Sequence, residues 1–157
     1  PKGIPNNIFP YICEVGSGGI DKLQIFGSDL PTRDGTCIRD YIHVMDLAEA
    51  HKSALDYLNE KDSEFISLNI GTGIGTTVFE LVKTFIKVNE CNLNYEFAER
   101  RDGDSYYVVA NNELALNTLN WRPKKDLEDM CRDGWLWQNS NKEFVKNLSS
   151  IDLQKLF

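Results

Sequence analysis

Arg39-Asp40-Tyr41-Ile42-His43-Val44-Met45-Asp46-Leu47-Ala48 changes hydrophobic period in mid-course, and that change decides the fold class. Up to Val44 the stretch continues a strand begun at Cys37, with Ile38, Ile42 and Val44 on one face. Asp46 then reads as a helix cap, and Glu49 stands three residues on, at the capping-box position. Leu47, Ala50, Ala54 and Leu58 recur at the spacing of one helical face. A strand that runs straight into an amphipathic helix is the repeating element of an α/β protein.

The same alternation continues on both sides. Asn6 to Val15 reads as a short helix capped by Asn6 or Asn7 and ended by Ser17-Gly18-Gly19. Leu23 to Phe26 reads as a short strand closed by Gly27, and Pro31 to Gly35 as a polar loop. Downstream, Phe65 to Ile70 is a strand, followed by the glycine loop Gly71-Thr72-Gly73-Ile74-Gly75. Thr77 with Glu80 makes a second capping box, and Val78, Leu81, Val82, Phe85 and Val88 share a helical face. Leu93 to Phe97 is a strand, and Arg100 to Asp104 a charged turn. Helices follow at Asn112 to Leu119 and Leu127 to Trp137, separated by Trp121-Arg122-Pro123. Short strands with about five helices make the chain α/β. Residues 1–138 are expected to form one domain, and the polar, Asn- and Lys-rich segment 139–157 a weakly ordered tail. The opening Pro1-Lys2-Gly3-Ile4-Pro5 reads as the middle of a protein.

Composition narrows the function classes. The 157 residues are 41% hydrophobic and 26% charged, enough apolar material for a core. The net charge of −7 disfavours nucleic acid and anionic membranes, which need an excess of Lys and Arg. An anionic ligand therefore needs a local cation cluster. No apolar run approaches the roughly 18 residues of a membrane span. Cys13, Cys37, Cys91 and Cys131 are scattered without metal-ligand spacing and read as reduced thiols of a cytoplasmic protein.

Four segments can carry chemistry. The glycine loop follows a strand and precedes a helix, as a dinucleotide fingerprint does, and Glu96 lies about 20 residues on, where an acidic ribose ligand is expected. However, Thr76 stands where the last glycine belongs, so the loop reads as a tight strand-to-helix turn. Arg100-Arg101-Asp102-Gly103-Asp104 offers a guanidinium fork for a diphosphate and a carboxylate for ribose hydroxyls; taken alone it is also what a solvated surface turn looks like. Arg39, beside apolar strand residues, is either a second phosphate clamp or paired with Asp40 or Asp46. Pro5-Asn6-Asn7-Ile8 opens a helix whose spare N–H groups suit an anion, or is a simple cap. His43 and His51, the only histidines, have no acid cluster or nucleophile at a recognisable spacing and read as structural.

Together these motifs carry a resemblance. The run from Arg39 to Ala48 resembles the RDYIHVxDLA signature of extended short-chain dehydrogenase/reductase enzymes acting on sugar nucleotides, and within them the UDP-glucose 4-epimerase family. Gly3-Ile4-Pro5-Asn6-Asn7 is similar to that family's GIPNN run, and Trp135-Leu136-Trp137-Gln138 to its WxWQ close, so the match spans Lys2 to about Gln138. The resemblance implies the C-terminal, UDP-sugar-binding portion of an NAD(P)-binding Rossmann-type enzyme. The whole enzyme would interconvert UDP-glucose and UDP-galactose through an NAD-dependent 4-keto intermediate.

By the same resemblance, Asn7 and Ile8 line the nucleotide site, and the backbone of Gln24, Ile25 and Phe26 reads the uracil edge. Arg39 and Arg101 hold the diphosphate and Asp104 the ribose. Val108, with Tyr107 beside it, falls where the family gates N-acetylated sugars, a preference left open. The catalytic Tyr-x-x-x-Lys pair and the N-terminal glycine fingerprint are absent, so NAD is expected to be bound by the missing half and this chain alone to be inactive. Strands 37–44 and 65–70 are expected to complete the missing sheet, and a homo-oligomer to cover the surface that half leaves. The alternatives are a free-standing UDP-sugar-binding or interaction module, and part of another sugar-nucleotide epimerase or dehydratase.

Overall fold

Four of the five described helices start at a side-chain cap. The computed structural model describes residues 7–141, so Pro5, Asn6 and most of the 139–157 tail lie outside the described residues. Helix α1 (Ile8–Gly16) starts at Asn7, whose Oδ1 accepts from the Phe9 N–H at 3.3 Å. Helix α3 (Val78–Asn89) carries the expected box: the Thr77 hydroxyl takes the Glu80 N–H, and the Glu80 carboxylate takes the Thr77 N–H. Helix α5 (Leu127–Ser140) has an equivalent box between Asp126 and Asp129 and runs past Trp137 into the expected tail. Helix α4 (Glu113–Thr118) is short and lacks a side-chain cap bond, because Asn112 Nδ2 donates instead to the Gly71 carbonyl at 2.8 Å.

Helix α2 (Val44–Asn59) corrects the opening stretch. It is capped by His43, whose Nδ1 accepts from the Met45 N–H at 3.1 Å, and it starts two residues before Asp46. Asp46 lies buried in its first turn and accepts from the N–H groups of Lys124 and Lys125, at 3.1 and 2.9 Å. A carboxylate near a helix N-terminus is favoured by the macrodipole wherever its hydrogen bonds go, which is why sequence alone misplaces the cap. Glu49 pairs with Lys124.

The strands form two small sheets. In the first, β1 (Leu23–Phe26) pairs in parallel with β4 (Tyr95–Ala98), Leu23 opposite Tyr95 and Phe26 opposite Ala98. In the second, β2 (Ile38–Arg39) lies between antiparallel β3 (Thr76–Thr77) and parallel β5 (Tyr107–Val108), with Arg39 opposite both Thr76 and Val108. The expected strand 37–44 thus shrinks to two ladder residues. The expected strand Phe65–Ile70 forms no ladder: it keeps period-two burial, with Ile66, Leu68 and Ile70 half-buried, but no described strand lies beside it. An extended segment without a neighbour has nothing to hydrogen-bond.

The main core lies between α1, β1, α3 and α5. Ile12, Leu23, Ile25, Leu81, Val82 and Phe85 are fully buried there, and the Trp135 ring meets Phe85 edge-on at 5.5 Å. Burying a side chain such as Phe85 contributes about 1.5–3 kcal/mol. A smaller cluster of Ala50, Leu119 and Trp121 backs α2. The core thereby fixes the C-terminal ends of β1 and β4 side by side, and the turn that follows β4 is held against the end of β1.

Candidate functional site

The glycine loop is already full. Asp40, next after β2, accepts from the Thr72 N–H and the Gly73 N–H, each at 2.9 Å, from the Thr72 hydroxyl at 2.5 Å and from the Ala110 N–H at 3.3 Å. The N–H groups that would cradle a phosphate hold the chain's own carboxylate. A Cβ at Gly71 would stand 2.6 Å from both Ala110 Cβ and Asp40 Oδ2, so glycine there is a packing requirement. Glu96 pairs with Lys22 at 2.8 Å, and that hydrogen bond draws it below the usual carboxylate range. The tight-turn reading of this loop holds.

A cleft of about 360 Å³ opens where the two sheets end, and it collects the charged turn. The Gly27 N–H bonds the Ala98 carbonyl at 3.0 Å, so β1 and β4 finish together. The chain then turns through Arg100–Asp104, with Gly103 at φ +82° and the Asp104 N–H reaching back to the Arg101 carbonyl at 3.3 Å. Phe26, Arg101 and Asp104 all line the cleft. The Arg101 guanidinium lies 3.8 Å over the Phe26 ring. Cys37 and Tyr106 form the adjoining wall, tied by the Ile38 N–H to the Tyr106 carbonyl at 2.8 Å.

Arg39 and Val108 face each other across β2 and β5. Strand alternation sets Arg39 on the face that Cys37 presents and Val108 on the face of Tyr106. Neither Asp40 nor Asp46 pairs with Arg39; among the described residues its guanidinium donates only to the Ile38 carbonyl, at 2.9 Å. Among the described residues Arg39, Arg100 and Arg101 form no close ion pair, so their guanidinium donors are not taken by a carboxylate of the chain. Gln24 is exposed and Ile25 buried, and among the described residues β1 is paired on one edge only, which leaves backbone groups of 24–26 on the other without a described strand partner.

Asn7 and Ile8 are not brought to this cleft. Asn7 has spent its side chain on the α1 cap and borders a second, larger cleft of about 800 Å³, while Ile8 packs on the core. That second cleft is apolar, walled by Phe9, Ile42, Val44, Met45 and Trp137 among others. Tyr41 borders it with its hydroxyl buried and without a partner among the described residues, and burial pushes that hydroxyl up to about 12. Because His43 accepts at Nδ1, its Nε2–H is left to donate to Asp133 at 3.2 Å, and the ring serves as a buried cap. His51 is exposed, with Nδ1 2.8 Å from the Leu47 carbonyl. No cluster of three metal-ligating side chains exists among the described residues. Burial pushes the thiols of Cys13 and Cys131 up to about 12, so both stay protonated and inert.

Leu30, Pro31 and Tyr106 also line the charged cleft, and sequence reasoning did not find them. Tyr106-Tyr107-Val108-Val109 carried the signal, since four aromatic and β-branched residues in a row favour a strand beside the charged turn.

Known proteins share this fold. Residues 1–134 match the family model described as GDP-mannose 4,6 dehydratase. A UDP-glucose 4-epimerase of Bacillus subtilis is 48% identical over 142 residues, which are 90% of this chain and 41% of the relative. The crystal structure of UDP-glucose-4-epimerase from Stenotrophomonas maltophila, with bound NAD and formylated UDP-arabinopyranose, superposes with a TM-score of 0.87 at 44% identity, covering 91% of this chain and 42% of that one. The enzyme of Bifidobacterium longum, in complex with NAD+ and UDP, gives 0.83 at 37% identity, covering 90% and 42%. The chain spans about two fifths of the length of each of these relatives.

Proposed function

The chain belongs to the GDP-mannose 4,6 dehydratase family of extended short-chain dehydrogenase/reductase proteins, and from that premise we propose that it is the nucleotide-binding portion of a UDP-glucose 4-epimerase. The observation that carries this reading is the cleft in which Phe26, Arg101 and Asp104 meet beside the Arg39–Val108 strand pair. Arg101 and Arg39 take the diphosphate through charge-assisted hydrogen bonds, Asp104 accepts from the ribose hydroxyls, and the free edge of β1 pairs with the uracil. Val108 borders the sugar.

In this reading Arg101 swings from the Phe26 ring to the phosphate. The exposed cation–π contact is worth about 0.5–1 kcal/mol. Hydrogen bonds to a charged group contribute about 1.5–3 kcal/mol each. The diphosphate therefore outcompetes the ring, and the vacated face of Phe26 is free for the base.

NAD does not fit these residues. The glycine loop is the one dinucleotide-like turn among the described residues, and Asp40 fills it. NAD belongs to the part of the enzyme outside this chain, and the chain by itself catalyses nothing. Asn7, from the apolar cleft, and Ile8, beside it in sequence, join the site once that part covers the cleft; in its absence a second copy of the chain covers the cleft, which light scattering reads as self-association.

A second reading, another sugar-nucleotide epimerase or dehydratase, is favoured by the guanosine sugar nucleotide in the family model's name. Calorimetric titration with UDP and GDP separates the two. Tighter binding of UDP supports the epimerase; preference for GDP supports the second reading; binding of neither sinks the nucleotide site.

A further inference from the structure

Arg39 and Asp40 are consecutive, and they face opposite sides of β2. Arg39 shares the strand face of Cys37, which lines the charged cleft, although Arg39 itself does not line it; Asp40 lies toward the glycine loop, as does Ile38, whose Cγ2 would meet a Cβ placed on Gly75 at 2.7 Å. Asp40 receives four donors from two places, three from Thr72 and Gly73 and one from Ala110, two residues beyond Val108. One carboxylate thus ties the strand that carries Arg39, the loop that starts α3 and the strand that carries Val108. The β2–β5 ladder it braces is only two residue pairs long, so little else holds the register of Arg39 against Val108. Gly71 lacks a Cβ where the carboxylate must pass.

We infer that Asp40 is a positioning residue for the nucleotide site: by filling the glycine loop it fixes Arg39 and Val108 in register in the strand pair beside the cleft, and it leaves the diphosphate to the arginines alone. This rests on the proposed nucleotide-binding reading. The role is specific to the phosphate end of the ligand, because the uracil meets β1 in the other sheet. Asp40→Asn keeps the size but turns an N–H₂ toward donors, so one side of the clamp opens.

The test is binding of UDP and of uridine to the folded chain, its fold checked by circular dichroism. Asp40→Asn is expected to weaken UDP about tenfold, the value of one charge-assisted hydrogen bond, while uridine binding stays unchanged. Thr72→Val, which removes one of the four donors, shifts the UDP-to-uridine ratio the same way by less, and it decides the matter should Asp40→Asn fail to fold. Asp40→Glu is expected to restore part of the UDP affinity lost in Asp40→Asn. Equal losses for both ligands, or no loss, overturn the positioning role and leave a merely structural carboxylate. A wild-type chain indifferent to UDP overturns the nucleotide site and the positioning role together; a wild-type chain that binds UDP with an unchanged ratio in the variants overturns the positioning role alone.

Discussion

The glycine loop at 71–75 and the charged turn at 100–104 both look built for an anion, and they differ in what already occupies them. In sequence the loop has the strand-to-helix context and backbone donors of a phosphate cradle, yet in the structure Asp40 takes those donors at 2.9 Å. The turn looks like an ordinary solvated surface turn, yet its arginines form no ion pair among the described residues, and Arg101 rests on an aromatic ring. An anion-binding motif is available only while its donors are unpaid, and a motif's spacing does not tell whether they are. The loop is consequently architecture, and the turn is the place where ligand chemistry is open.

The largest effect expected from breaking this contrast is at Gly71. Gly71→Ala pushes a methyl onto Ala110 and the Asp40 carboxylate and should cost about 2–3 kcal/mol in urea unfolding, the scale of overpacking a tight site. Arg101→Ala should cost no more than about 1 kcal/mol in unfolding, the value of its contact with Phe26, and weaken UDP about tenfold to hundredfold by calorimetry, since a charge-assisted bond is lost. Gly103→Ala isolates backbone strain in the open turn: φ is +82° and no atom lies within 4 Å of the added Cβ, so unfolding should shift by only about 1 kcal/mol.

A gentler probe is acid. The Arg33 guanidinium, bonded to Glu80 and to the Gly75 carbonyl at 2.8 Å, holds the Glu80 carboxyl at about 2, below its ordinary 4.5. A depressed folded-state value means stability that is complete above pH 4.5 and fades as pH falls toward 2. Glu80→Gln should flatten part of that decline in denaturant midpoints measured across this window. The smallest effect belongs to Glu96, which stands where a dinucleotide loop would want its acidic partner but is exposed and paired with Lys22. Glu96→Ala should change neither thermal unfolding nor NAD titrations; a change in NAD binding would reopen the glycine loop as a cofactor site.

Much of the fold was legible because its signals are local. The Thr77–Glu80 box, the Asn7 cap and the 78–88 apolar stripe depend on neighbours a few residues away, and all three stand in the structure. Asp46 misled because its partners, Lys124 and Lys125, are distant in sequence, and a buried carboxylate with distant partners looks like a cap from its own neighbourhood. Phe65 to Ile70 kept its alternating burial but has no strand to pair with among the described residues, and pairing is never written in one segment alone. In the site, Phe26, Arg101 and Asp104 were named from motif resemblance and do meet in one cleft. Asn7 and Ile8 border different surroundings, and Tyr106 and Leu30 were missed, because a cleft wall is made by whichever loops the core happens to bring together.

The most direct test of the nucleotide site is a two-dimensional amide NMR titration of the chain with UDP, run beside Arg101→Ala. The account predicts dispersed spectra for both, with UDP-dependent shifts clustered at 24–26, 39 and 100–108 in the wild type and largely absent in the variant. Dispersed spectra indifferent to UDP, or shifts centred on residues 71–75 in both proteins, would contradict it.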